Sequence, residues 1–301
     1  NLEQVYTIAQ EITNMYRNDG YILSKAVVPP QKIEGGIVQI DVIEGFVDRV
    51  VIQGQVRGPR KLLNQYRRGL LKSRPLKAKD LERYLLLVDD LPGVSVKSVL
   101  TPSKHKQGAT NMTLILDNKA YGGSLGVDNR GTQFNGPLQI NAGLSGNTLL
   151  RNYERIGLQG VVTSNTDELQ FFSGFYEQPI SSEGTKLFFS ASISESEPGS
   201  VLKDFEVAGK SKTFTLKISH PFIRSRAENL TGSFGYTHRN SSTDILGVLD
   251  SEDRLRIVNL GLSYDFVDEH RGVNLISFNL SKGFDIFDST KTGSENLTRP
   301  L

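Results

Sequence analysis

The sequence predicts two architectures in series: α+β modules first, then an antiparallel β-sheet of the kind that closes into a membrane barrel. Three observations carry this. Helical spacing alternates with short apolar runs up to about residue 118 and then stops. From residue 119 the apolar period is two, and it persists. The alternating segments run near ten residues, longer than the ~5–6 usual in soluble sheets.

Composition sets bounds on this. The chain has 301 residues, 37% hydrophobic and 23% charged, enough for several domains. A formal net charge of +2 gives no global field for nucleic acid. There is no cysteine, which removes disulfides and thiolate metal sites. No run approaches the ~18 apolar residues of a membrane helix, but a barrel strand needs only ~9–11 residues with one apolar face. No signal peptide is visible, and Asn1 falls in what reads as mid-helix, so the start reads as a processed or trimmed boundary.

Taken in order, Leu2, Val5, Ile8, Ile12 and Met15 share one face of an amphipathic helix over 2–18, with Gly20 as its stop. Two apolar runs follow, Ile22 to Val28 and Ile37 to Ile43, separated by Pro29-Pro30 and Glu34-Gly35-Gly36. They read as strand, turn, strand. Residues 1–45 thus form a partial module. A fuller one occupies 46–118. It has a strand from Phe46 to Ile52, a helix opened by Pro59 and a helix from Lys79 to Asp90 ended by Pro92-Gly93. A strand pair, Val94 to Leu100 and Asn111 to Leu116, completes it. The order is β-α-α-β-β, and the first module looks like the same unit with its opening strand missing, or its opening strand and first helix together.

Nine alternating segments fill 119–301, near 120–128, 136–146, 153–163, 168–177, 185–195, 210–219, 231–239, 254–266 and 272–282. Phe214, Leu216 and Ile218 oppose Thr213, Thr215 and Lys217; Leu260 and Leu262 oppose Gly261 and Ser263; Leu138, Ile140 and Ala142 oppose Gln139 and Asn141. The second face is small and uncharged, as a watery lumen requires. This assigns Leu216, Ile218, Leu260 and Leu262 to lipid and Asn141, Thr215 and Ser263 to the lumen. Segments 196–209 and 240–253 read as long polar connections after odd strands, and 178–184 and 220–230 as connections after even ones.

Competing chemistry is weak. The histidines at 105, 220, 238 and 270 have no metal-ligand spacing. Ser145-Gly146 and Ser173-Gly174 lack the strand–turn–helix frame of a nucleophile elbow. Gly122-Gly123 and Gly126 precede no helix and hold no phosphate. Segment 48–83 carries eleven Lys/Arg against three carboxylates, a net +8. It reads as a solvated helix face, or as a patch for anionic lipid or an acidic stretch of partner; no aromatic interleaving suggests nucleic acid.

At this point the residues resemble a known family. Gly20-Tyr21-Ile22-Leu23-Ser24-Lys25-Ala26-Val27-Val28-Pro29-Pro30-Gln31, followed by Gly36 to Gly45, resembles a POTRA (polypeptide-transport-associated) module of the TpsB transporters, the hemolysin activation/secretion proteins of the ShlB/FhaC/HecB group. Leu81 to Val94 resembles the matching stretch of that family's second POTRA module. Asp128-Asn129-Arg130-Gly131 resembles the start of its barrel, and His220 to Arg226 with Asn229-Leu230 one of its inter-strand turns.

The resemblance implies a Gram-negative outer-membrane transporter with POTRA modules in the periplasm. It would secrete one large β-helical exoprotein, with no cofactor, no small-molecule substrate and no enzymatic activity. The family's barrel has sixteen strands and this chain supplies about nine, which implies truncation within the barrel. The family's inward-folding loop, with its Arg-Gly-Tyr-type tip, finds no counterpart here. A barrel-assembly insertase of the Bam type shares the modules and stands as the alternative. An unfolded client is most simply held by backbone pairing at a sheet edge. Ser24, Ala26 and Val28 are the expected edge, with Ile8, Ile12 and Tyr16 as a groove floor. The same three apolar residues also read as plain module core.

Overall fold

The computed structural model describes residues 2–298 apart from 34, 56, 292, 293 and 295, so Asn1 and Glu34, named above, lie outside it. Two compact units succeed one another, with the break between Asn118 and Lys119.

The first unit opens with α1 (Leu2–Asn18), β1 (Lys25–Val27) and β2 (Asp41–Ile43). Gly20 ends α1 at φ +87°, in the left-handed region that lets the chain turn back. β1 and β2 pair antiparallel, with Ala26 opposite Val42. Both strands are shorter than the apolar runs suggested. Ile22 and Val28 lie outside β1, and residues 37–40 lie outside β2. Hydrophobicity marks what can be covered, whereas a strand also needs a paired neighbour for each backbone group.

The second module is β3 (Phe46–Gly54), α2 (Arg60–Lys72), α3 (Ala78–Asp89), β4 (Val94–Pro102) and β5 (Ala109–Asn118). The expected β-α-α-β-β order is the order found. Its sheet runs β3-β5-β4, with β5 parallel to β3 and antiparallel to β4. A parallel pair needs a long crossover, and the two helices supply it. Val47, Val50, Leu70, Leu76, Met112 and Leu114 form the core, with Leu81, Tyr84 and Leu85 packed on it. α2 and α3 meet closely at Gly69, where a Cβ would come within 2.2 Å of the Tyr84 ring.

The second unit is one antiparallel sheet of nine strands, neighbours in sequence being neighbours in space. They are β6 (Tyr121–Asp128), β7 (Gln139–Asn147), β8 (Arg155–Thr163), β9 (Gln170–Pro179), β10 (Lys186–Ser196), β11 (Ala208–Arg224), β12 (Glu228–Ile245), β13 (Val248–Val267) and β14 (Val273–Gly283). All nine expected segments are strands, and β6 and β14 stand at the sheet's two edges.

Two expected connections are not connections. Residues 240–253 belong mostly to β12 and β13, which pair from Asn240↔Arg254 to Ile245↔Val248 and leave only Leu246 and Gly247 as the turn. Polar residues on both faces hid this. A ladder in water needs backbone pairing and no apolar face. Likewise 220–230 reduces to Ser225, Arg226 and Ala227. Pro221 reads as a breaker, yet it lies past Ser219, the last β11 residue paired to β10, so its missing amide costs nothing on that side.

Candidate functional site

The α1–β1 pair builds a closed edge. Ala26 stands opposite Val42, and its N–H points away from β2 and donates to Thr13 Oγ1 at 2.9 Å. Thr13 is 5% exposed and donates in turn to the Ala9 carbonyl at 2.9 Å. The expected docking residues divide around this contact. Ser24 is 2% exposed and accepts from the Gly45 amide at 3.1 Å, so it ties β1 to the end of the module. Val28 is half-buried and lies one residue past β1. On α1, Ile12 and Tyr16 are half-buried while Ile8 is 48% exposed. The Tyr16 hydroxyl donates to Glu44 Oε1 at 3.3 Å. Desolvation first, and then the Glu44 carboxylate, hold that phenol above its ordinary pKa. Thr13 was not foreseen; its one sequence signal is a hydroxyl four residues after Ala9, to one side of the apolar stripe.

β4 repeats the arrangement on a longer strand. It is an edge of its sheet, and Val96 N–H donates to Asp89 Oδ1 of α3 at 3.2 Å. Period two then puts the amides of Ser98 and Leu100 on the same open side. Among the described residues neither takes a partner. At nine residues against three, β4 is the larger edge.

In the nine-stranded sheet the two faces separate by exposure. Leu216, Ile218, Leu260 and Leu262 are between 41% and 50% exposed. Asn141, Thr215 and Ser263 are half-buried. Register carries the apolar face from strand to strand, through Phe189↔Leu216, Phe234↔Leu260 and Leu260↔Leu280. The opposite face is less uniformly small than expected. The Arg155 guanidinium lies over Phe175 at 5.8 Å, Phe175 stacks on Phe188 at 6.2 Å, and Lys217 sits over Phe188 at 5.3 Å. This ladder crosses β8 to β11. Gly157 makes room for it, since a Cβ there would come within 2.2 Å of the Phe175 ring.

The connections after odd strands are joined at one end. Gly199 N–H donates to the Phe134 carbonyl, Glu197 N–H to that of Asp167, and Leu246 N–H to that of Phe205. A polar hollow of about 860 Å³ lies among them, lined by Asp167, Glu168, Glu197, Glu206 and Asp244 with Lys203. Among the described residues no group of three or more His, Asp or Glu side chains is placed to hold a metal ion.

A model of haemolysin secretion/activation proteins ShlB/FhaC/HecB matches residues 115–299, and a model of the ShlB-type POTRA domain matches residues 1–45. The chain belongs to the ShlB/FhaC/HecB family. α1, β1 and β2 are therefore POTRA structure, and β6 to β14 belong to the family's barrel. The heme/hemopexin transporter protein HuxB of Haemophilus influenzae (strain 86-028NP) is 27% identical over 84% of this chain and 45% of its own length. The outer membrane transporter CdiB of Dickeya dadantii (strain 3937) is 26% identical over 48% of this chain and 25% of its own. The solved structure of CdiB from Escherichia coli superposes with a TM-score of 0.77 at 23% identity, covering 97% of this chain and 56% of that one, and shows the same fold. The chain thus spans less than half the length of HuxB.

Proposed function

We propose that this chain serves an outer-membrane transporter that exports one large β-helical exoprotein, with its POTRA modules in the periplasm and β6 to β14 in the bilayer. The observation that carries this is the ShlB/FhaC/HecB match running through the nine alternating strands. The same match favours secretion over Bam-type assembly. Relatives named as transporters, one of them for heme/hemopexin, support the transport role. Leu216, Ile218, Leu260 and Leu262 face lipid in this reading, and Asn141, Thr215 and Ser263 face the lumen. The chain contributes a path and a grip and carries out no chemistry.

The client is gripped as extended chain at an exposed sheet edge, where main-chain hydrogen bonds ignore side-chain identity. β4 offers the free amides of Ser98 and Leu100. β1 becomes available when the client displaces Thr13 from Ala26, with Ile8, Ile12 and Tyr16 forming the floor beside it.

Deletion of the gene, followed by measurement of its neighbouring exoprotein in culture medium and periplasm, tests the reading. Loss from the medium is expected, with rescue by the intact protein and no rescue by a form lacking residues 1–118. A general fall in folded outer-membrane proteins, with export of the exoprotein unchanged, would replace it with the assembly reading.

A further inference from the structure

We propose, on the membrane reading above, that the outer face of α2 rests on the head groups of anionic phospholipid. α2 carries Arg60, Lys61, Arg67, Arg68 and Lys72 and no carboxylate. All five cations are exposed, and among the described residues none has a hydrogen-bond or ion-pair partner. Leu63, Tyr66 and Leu70 are buried, which fixes the opposite face outward. At about 100° per residue, Lys61, Arg68 and Lys72 fall on one line directly opposite that buried stripe, over a length of ~16 Å. Arg60 and Arg67 run along its flank.

The start of α2 makes the same point independently. Arg60 and Lys61 occupy the first turn, where the positive end of the helix dipole disfavours cations. Pro59 at the N-cap makes no side-chain hydrogen bond, so nothing in the cap satisfies the first amides. This arrangement weakens the helix by itself and is relieved by an external anion such as a phosphate. A single helix face is convex, whereas peptide recognition uses grooves and sheet edges. A straight row of cations on a convex face meets a plane of phosphates along its whole length, as surface-lying basic helices do.

The sequence has no cysteine, so Gln65→Cys, exposed beside the row, takes a single fluorophore. The protein is reconstituted into nanodiscs of phosphatidylcholine alone or with phosphatidylglycerol, each holding a head-group-linked quencher. Quenching is expected to be at least about threefold greater with phosphatidylglycerol. It should fall to the phosphatidylcholine level at ~1 M salt, where the screening length shrinks to ~3 Å. The combined variant Lys61→Gln, Arg68→Gln, Lys72→Gln should behave as the protein does at high salt. If that variant misfolds, the salt titration of the unmodified face decides instead. Equal quenching in both discs, or protection of the label only by an acidic peptide, overturns the inference. Failure of the full-length protein to insert, read from heat-modifiable migration on gels, overturns the membrane reading itself. Insertion with lipid-independent quenching overturns this inference alone.

Discussion

The Ala26 amide and the Thr13 hydroxyl meet at 2.9 Å, closing with a helix side chain the one outward amide in the middle of β1. Val96 and Asp89 make the equivalent contact in the second module at 3.2 Å. Thr13→Val keeps the shape of the side chain and removes the acceptor. Losing one such bond is worth about 1 kcal/mol, so exchange of the Ala26 amide should rise roughly fivefold. Hydrogen–deuterium exchange by mass spectrometry reads this directly, and an unchanged rate would show the contact to be dispensable.

Proline separates the two edges as docking sites. Ser98→Pro removes an outward donor of β4 and leaves the pairing to β5 in place, a position where edge strands tolerate proline. Client capture is expected to fall, with the circular dichroism spectrum unchanged. Ala26→Pro also breaks the bond to Thr13, so its effect must be compared with that of Thr13→Val. Undiminished capture by a folded Ser98→Pro protein would remove β4 from consideration.

On the lipid reading, Leu260→Arg places a charge against hydrocarbon at a cost of roughly 2–4 kcal/mol near the midplane. Ser263→Arg, on the other face, should cost much less. The fraction showing heat-modifiable migration after folding measures both, and equal damage would reverse the assignment of faces.

Connections after odd strands are expected outside the cell. Ser251 is only 6% exposed and cannot report, but Val201 and Val248 are 67% and 69% exposed. Val201→Cys and Val248→Cys should both label in intact cells with a membrane-impermeant maleimide. Labelling confined to ruptured cells would invert the topology.

The β13–β14 turn should respond to acid. Asp268 accepts from the side chain of Asn274 at 3.0 Å and from the amides of Gly272 and His270 at 2.7 and 3.0 Å. These bonds hold its pKa below the ordinary carboxylate value. A group whose folded pKa is depressed stabilises above its unfolded pKa and loses that contribution as pH falls through the folded value. The Gly272 amide signal should therefore stay constant from neutrality down to the ordinary carboxylate range and move only below it. Asp268→Asn should abolish the titration.

Much of this was legible in the chain itself. Phe214, Leu216 and Ile218 alternating with Thr213, Thr215 and Lys217 gave both the strand and its faces, because a pleated strand has a period of two whatever it pairs with. In α2 the sequence showed the helix and its excess of cations, while the burial of Leu63, Tyr66 and Leu70 and the line of Lys61, Arg68 and Lys72 opposite them came from the structure. Local periodicity is a property of one segment, and sequence states it directly. The extent of β12 and β13 was not legible, since beyond the apolar zone their residues carry no alternation and only backbone pairing holds them. Nor was the Arg155–Phe175–Phe188–Lys217 ladder, whose members come from four strands. Which residue stands opposite which depends on register, and a shift of one residue would send each side chain to the other face. The Thr13–Ala26 contact is of the same kind. A hydroxyl on a helix and an amide on a strand thirteen residues later meet only because tertiary packing lays one against the other.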